Sequence, residues 1–240
     1  MYGENMKNYI LTLSAALTLA ACAPSVTSTS ANTAPDVEPV KLSTTSPANL
    51  KTAVFAGGCF WCIESDFEKL NGVIEAVSGY TGGRTDNPNY KSVSYTETGH
   101  YEAVEVTYDS SVVNYAELLD YYWRHIDPTD PNGQFCDKGS SYRTAIFADE
   151  TQIEQARQSK NDTAISKPFD GPVVTEILPL GPFYIAEDYH QDYYKKNPFR
   201  YRQYRVGCRR DARIKQLWGK SSEQKNDKPV KASQSYGSGK

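Results

Sequence analysis

The sequence predicts an α+β domain, a mixed sheet layered with helices. Short apolar runs with strand character alternate along the chain with stretches of helical apolar spacing. Several neighbouring strands lie close enough to pair as hairpins, which favours a mixed sheet over a purely parallel one. Residues 23–50 and 221–240, on either side of these elements, are polar and lack a core pattern, so a single domain holds all the elements.

In order, residues 52–56 (TAVFA) form a short apolar run ending in Gly57-Gly58, a buried strand entering a turn. CFWCIESDFEKL follows, with Phe60, Ile63, Phe67 and Leu70 at helical spacing on one face. Residues 73–78 read as a strand, and residues 79–90, rich in Gly, Asn and Pro, as a loop. The alternation of YEAVEVTY over residues 101–108 predicts another strand. Asn114 and Glu117 form a capping box that opens a helix through Leu118, Leu119, Tyr122 and Ile126. A strand over 141–147, a helix over 150–160, a strand over 173–178 and a last short helix over 184–195 complete the order. The expected architecture is a ferredoxin-like mixed sheet layered with helices.

The chain ends have other expected roles. Lys7 precedes an apolar run at residues 10–21, too short to span a bilayer but right for the core of a secretory signal. Glu4 sits badly in such a leader, so Met6 is an alternative start. Leu19-Ala20-Ala21-Cys22 resembles the bacterial lipobox, which makes residues 1–21 a lipoprotein signal peptide and Cys22 the lipidated residue. Ordinary cleavage after Ala21 is the plainer alternative. Residues 22–50 are dominated by Ser, Thr, Ala and Pro without an aromatic, a flexible tether. The folded domain is expected over 51–220, followed by a disordered polar tail over 221–240. A net charge of −3 gives no footprint for nucleic acid, and the expected state is a membrane-anchored monomer outside the cytoplasm.

Of five Cys, Cys22 leaves the redox count, and Cys59, Cys62, Cys136 and Cys208 remain in an oxidising compartment. Four thiols allow three pairings, which sequence does not choose between. Cys59 follows the Gly-Gly turn at the first turn of a helix, whose dipole and free N–H groups are expected to lower its pKa. A buried structural Cys is the bland alternative, weakened because Cys59 lies off the Phe60/Ile63/Phe67 face. Cys59 and Cys62 also make a C-x-x-C of redox type. His100, His125 and His190 are isolated from any ligand cluster, so neither a metal nor a cofactor is expected. Trp61 lies about 100° round the helix from Phe60 and is free to line a pocket, whereas Phe60 could be core.

Gly57-Gly58-Cys59-Phe60-Trp61 resembles the signature of the A-type peptide methionine sulfoxide reductases. The resemblance continues in the family's order through GYTGG at Gly79, NPNY at Asn87, GHYEAV at Gly99, Tyr108-Asp109, Asp127-Pro128, Tyr142-Arg143, AEDYHQ at Ala186 and Asn197-Pro198. It covers about residues 52–198, and the motifs of the B-type relatives are absent from it. It implies reduction of methionine S-sulfoxide, free and in proteins, with Cys59 as nucleophile and a Cys59 sulfenic acid as product. Such chemistry needs an acid for the oxygen and an apolar cage for the methyl. Glu102 shares a strand face with Val104 and Val106, where desolvation raises a carboxyl pKa, while Glu105 faces the other way. Phe60 and Trp61 suit the cage.

The resemblance further implies that Tyr90 and Tyr142 hydrogen-bond the sulfoxide oxygen and that Asp137 is a second acid of the site. Cys136 departs from relatives that often carry Asn there, which places a third thiol near the site. The candidates for resolving the sulfenic acid are Cys208 first and Cys62 second, with Cys136 also open, and a thioredoxin-like dithiol is the expected reductant. The basic, aromatic stretch from Arg200 to Arg213 reads as a solvated cover rather than an RNA contact. Two other functions compete: a thiol–disulfide oxidoreductase using Cys59 and Cys62, and a non-enzymatic surface lipoprotein with two structural disulfides.

Overall fold

The structure, a computed structural model, describes residues 47–219. The signal peptide, Cys22, most of the tether and the tail expected from sequence lie outside the described residues. A 3-10 turn at Pro47–Asn49 leads into β1 (Leu50–Gly57), so the sheet begins at the last residue assigned to the tether. The chain continues through α1 (Phe60–Phe67), β2 (Val73–Thr81), α2 (Tyr90–Tyr95), β3 (Tyr101–Asp109) and α3 (Tyr115–Trp123). A small hairpin, β4 (Gly133–Gln134) and β5 (Asp137–Lys138), precedes β6 (Thr144–Ala148), α4 (Ile153–Ser166), β7 (Glu176–Pro179) and β8 (Tyr184–Ile185). Three helices close the described chain: α5 (Tyr193–Lys196), α6 (Pro198–Gly207) and α7 (Arg210–Trp218). Among the described residues no helix is long and apolar enough to cross a membrane.

The six-stranded sheet has the order β7-β6-β1-β3-β2-β8. Its four central strands pair antiparallel throughout, with α1 and α3 as the two crossovers, which is the ferredoxin-like arrangement. β7 extends one edge parallel to β6, and β8 extends the other antiparallel to β2, so the sheet is mixed as expected. Strand alternation divides the core. Ala53 and Phe55 join Val104, Val106 and Ile146 beneath α1 and α3, while Val54, Ala56, Ala103 and Phe147 face the opposite side. The Tyr122 hydroxyl ties α3 to the sheet by donating to the Ala56 carbonyl at 2.7 Å.

The Asn114 capping box forms as expected, Asn114 Oδ1 accepting from Glu117 N at 3.1 Å and Glu117 Oε2 from Asn114 N at 2.8 Å. Helix α3 stops at Trp123, however, and Ile126 lies beyond it in the core. Three expectations fail more clearly. Gly79, Tyr80 and Thr81 are the end of β2 rather than loop, because each pairs across to β3. The segment 184–195 is not one helix: it opens as edge strand β8, and only Tyr193–Lys196 is helical. Nor is it the last element, since α6 and α7 follow.

Candidate active site

Cys59 sits where β1 leaves the sheet. Gly58 makes the turn with φ +81, and a Cβ there would stand 2.5 Å from the Gln134 side chain, so only glycine fits. Cys59 is the N-cap of α1, its carbonyl accepting from Cys62 N at 3.1 Å, while its side chain caps nothing. The residue is only 6% exposed.

Strand β3 brings Glu102 beneath this turn. As its alternation predicted, Glu102 is buried on the face of Val104 and Val106. Its Oε2 accepts the Phe60 backbone N–H at 3.0 Å. Burial pushes the Glu102 carboxyl up to about 8, against the pull of that hydrogen bond, so it holds its proton at neutral pH.

The expectation of a lowered Cys59 pKa is overturned. Burial pushes the Cys59 thiol well up, and the neighbouring Cys62 and Glu102 add to this. The Phe60 N–H that would have served the sulfur is taken by Glu102. The lowered thiol is instead Cys62, brought down to about 7 by a hydrogen bond from Cys59, with help from the Arg210 and Arg205 guanidiniums. Both cations belong to a buried cluster one turn along α1. Arg205 Nη1 lies 2.9 Å from Asp66 Oδ1, and Arg210 donates to the Gly57 carbonyl at 3.1 Å and the His125 carbonyl at 2.8 Å. The two sulfurs thus share a proton, which the opposite shifts place on Cys59 rather than on Cys62.

Around Cys59 lies a small cavity of about 60 Å³, lined by Cys59, Phe60, Trp61, Tyr90, Glu102, Asp137, Tyr142 and Tyr204. Sites that enclose whole small molecules run to roughly 300–1,000 Å³. This one takes only the tip of a side chain. All seven residues that the sequence placed at catalytic or substrate-binding positions therefore converge here, together with an eighth, Tyr204, that it did not. Phe60 serves both core and cavity wall: it is fully buried, with its ring 5.8 Å from Tyr80. Trp61 is fixed by stacking on Tyr193 at 3.8 Å and by donating from Nε1 to His190 Nδ1 at 3.0 Å. Burial holds His190 down at about 4, so it is the neutral imidazole that accepts.

Tyr90 opens α2, a helix missing from the sequence reading, which is started by a capping box between Asn89 and Ser92. Glu187 positions Tyr90 by accepting its N–H at 2.8 Å and also accepts the Tyr80 hydroxyl at 2.9 Å. Gln191 locks onto Ser78 through both main-chain groups, at 2.9 and 2.8 Å. The AEDYHQ segment is thereby the brace behind the cavity. Tyr142 ends a 3-10 turn at Ser140–Tyr142 and lines the cavity together with Tyr90. Asp137 sits on β5, its carboxyl pushed up by burial and accepting the Tyr204 hydroxyl.

Cys136 and Cys208 form a disulfide, whereas Cys59 and Cys62 are free and buried. With Cys208 engaged to Cys136, the free thiol in contact with Cys59 is Cys62, the second of the resolving candidates expected from sequence. Cys136 stands beside the site, its sulfur 3.7 Å from Asp137 Oδ1, but as the partner of Cys208 rather than as a third thiol. Two groups of possible ligands come together among the described residues. In Cys136, Asp137 and Cys208 both sulfurs are spent in the disulfide. In Glu64, Glu68 and Asp192 the Lys195 ammonium fills the centre, 2.5 Å from Glu68 and 2.7 Å from Asp192.

A family model described as peptide methionine sulfoxide reductase matches residues 51–222. The chain belongs to this family. Peptide methionine sulfoxide reductase MsrA 2 of Caulobacter vibrioides is 50% identical over 182 residues, covering 74% of this chain and 92% of its own. Peptide methionine sulfoxide reductase MsrA of Bacillus licheniformis is 50% identical over 173 residues, 72% of this chain and 96% of its own. Among solved structures, Mxr1 from Saccharomyces cerevisiae in reduced form matches with a TM-score of 0.60 at 33% identity, covering 64% of this chain and 89% of that one. Methionine sulfoxide reductase A of Corynebacterium diphtheriae matches with a TM-score of 0.59 at 36% identity, over 64% and 77%. The chain is an A-type peptide methionine sulfoxide reductase. A bare C-x-x-C oxidoreductase and a non-enzymatic lipoprotein with two disulfides are not favoured, the latter also because Cys59 and Cys62 are unpaired.

Proposed function

We propose that this reductase acts on methionine S-sulfoxide, free and in proteins, by sulfenic acid chemistry at Cys59, and that it works outside the cytoplasm. The observation that carries the chemistry is a thiol, a protonated buried carboxyl and two aromatic rings on one tip-sized cavity. The sulfoxide methyl rests against Phe60 and Trp61. Its oxygen points to Glu102, Tyr90 and Tyr142, whose phenols are pushed up by burial and keep their protons. Methyl, oxygen and sulfur lone pair then have three distinct places, which selects one epimer at sulfur.

The proton balance follows from the two perturbed groups. Cys59 passes its proton to the Cys62 thiolate and attacks the sulfoxide sulfur. Glu102 gives its proton to the oxygen, which transfers to Cys59 as methionine leaves. The products are methionine, Cys59 sulfenic acid, Cys62 thiol and Glu102 carboxylate. Cys62 then attacks the sulfenic sulfur. Its proton, relayed by Glu102, leaves with the hydroxyl as water, and a Cys59–Cys62 disulfide remains. Both protons of that water come from Cys59 and Glu102, and the two protons released by the donor dithiol restore Cys59 and Glu102 when the disulfide is reduced. A thioredoxin-like dithiol completes recycling, because such a donor attacks a disulfide rather than a sulfenic acid.

Cys62→Ser tests this assignment. The variant is expected to release about one methionine per enzyme, more slowly than the wild type because the thiolate that takes the Cys59 proton is gone, and then to stall with a dithiol protein donor, while a small thiol partly restores cycling. Mass analysis of the wild type after one turnover should find Cys59 linked to Cys62. A Cys59–Cys208 link, with Cys62→Ser recycling normally, would transfer the resolving role to Cys208.

Export rests on residues 1–22, where the apolar run and Leu19-Ala20-Ala21-Cys22 support a lipid anchor on Cys22 followed by a tether. A lipid adduct on Cys22 is the expected result of mass analysis of the mature N terminus. An unmodified chain beginning at residue 22 or 23 would leave ordinary signal cleavage in its place.

A further inference from the structure

Tyr204 belongs to none of the motifs that carry the family resemblance, yet it closes the cavity over Cys59. It lies on α6, with its ring edge-on to Trp61 at 5.8 Å, its hydroxyl donating to Asp137 and its side chain packed with Cys59 on the wall of the same cavity. The disulfide joins the two segments that meet at this contact. Cys208 is the C-cap of α6, one turn beyond Tyr204, and its N–H donates to the Tyr204 carbonyl at 2.9 Å. Cys136 immediately precedes Asp137 on the β4–β5 hairpin. A closed ring results, running from Asp137 through Cys136, the sulfur bridge, Cys208 and one helical turn to Tyr204, and back through the phenol to Asp137.

That hairpin needs external ties. Its strands have two residues each, too few to hold a register alone. At its first strand Gln134 is fixed by the Asp127 main chain, accepting at 2.9 Å and donating at 2.7 Å. The Asp137 strand has the Tyr204 hydrogen bond and the neighbouring disulfide.

We propose that Tyr204 is a third catalytic hydroxyl of the reductive step, and that the Cys136–Cys208 disulfide is the positioning bond that holds it, with Asp137, over the Cys59 sulfur. The proposal rests on Cys59 being the nucleophile. A phenol has one hydrogen and here has two acceptors. While Asp137 is ionised, the hydrogen goes to the carboxylate. When Asp137 takes a proton, its own O–H donates to the phenol oxygen, and the phenol hydrogen turns to Cys59. Burial favours this protonated form by pushing the Asp137 carboxyl up. Tyr204 then stabilises the charge that appears on Cys59 as its proton moves to Cys62. The proton stays on the phenol throughout, so no bond to Tyr204 is made or broken. The same contact explains why reducing the remote disulfide should alter the first step, which consumes neither of its sulfurs.

The test is single-turnover methionine formation, which precedes any resolving step, in Tyr204→Phe, in the double variant Cys136→Ser/Cys208→Ser, and in the triple. Tyr204→Phe keeps the ring against Trp61. It should slow the step about ten- to hundredfold, the size expected for one hydrogen bond to a charged group, with little change in KM. Alkylation of Cys59 should shift to higher pH in the same variant. The double variant should show part of this loss with the same alkylation shift, and adding Tyr204→Phe to it should cost much less than in the wild type, since both changes remove one contact. An unchanged rate and alkylation profile in Tyr204→Phe would overturn the proposal. A double variant at the wild-type rate, in which Tyr204→Phe still costs its full factor, would leave Tyr204 catalytic and refute the positioning role of the disulfide. Failure of the underlying reading would look different: Cys59→Ser would itself keep turning over.

Discussion

Cys59→Ser is expected to lose methionine sulfoxide reduction by roughly 10³-fold or more, to the level of the reaction without enzyme. The oxygen of the sulfoxide must end on the attacking atom. A sulfur can accept it as a sulfenic acid, and a serine oxygen cannot without forming a peroxide. The fold should survive. The Cys59 side chain makes no capping hydrogen bond, and serine is among the preferred residues at a helix N-cap. Phe60 N–H keeps its bond to Glu102, so the cavity wall stays in place. Thiol titration should still count Cys62, and circular dichroism should match the wild type. Substantial turnover in a well-folded Cys59→Ser would remove Cys59 from the mechanism, and Cys62, the more acidic thiol, would be the next nucleophile to try.

The raised Cys59 thiol beside a lowered Cys62 is where sequence reading reached its limit. A cysteine behind a Gly-Gly turn at a helix start is visible in the chain, and the dipole argument then lowers its pKa. What the chain does not display is that the first free N–H of that helix is claimed by a carboxyl 42 residues away. It also hides the two arginines, from another 140 residues on, that stand behind Cys62. Glu102 was legible because a strand's period of two places it with Val104 and Val106 whatever else the fold does. The Asn114 capping box was legible because its partners lie three residues apart. Helix α2 was not, being six residues long with one buried side chain, Val93.

The C-terminal helices were missed for a physical reason of the same kind. Apolar periodicity is weak in α6, where Tyr201 alone is buried. Its inward face is made of tyrosines and Arg205, residues that a hydropathy pattern assigns to solvent. In α7 the fully buried Arg210 spends its guanidinium on main-chain carbonyls of Gly57 and His125. Buried polar groups satisfied over such distances leave no local signature. For that reason the residue completing the cavity, Tyr204, had no signal in the sequence beyond being one of 18 tyrosines.

Glu102→Gln is expected to slow the reductive step by about 10²–10⁴, the usual effect of removing a positioned acid. Glutamine can still accept the Phe60 N–H through its amide oxygen, so the helix start and the Cys59 thiol should persist. The pH profile separates this from a packing effect. Below about 8 the wild-type Glu102 holds its proton and can give it to the sulfoxide oxygen; above that the proton is lost and the rate should fall. On the other side, the rate should rise through about 7, as Cys62 ionises and becomes able to take the Cys59 proton. The wild type should therefore show a narrow bell. Glu102→Gln should lose the descending limb and keep the ascending one, at a uniformly lower rate. Single-turnover methionine release measured from pH 5 to pH 10 is the check. If the descending limb stays in Glu102→Gln, the proton comes from another group, and Asp137, whose carboxyl is also pushed up by burial and lines the same cavity, is the one to replace next.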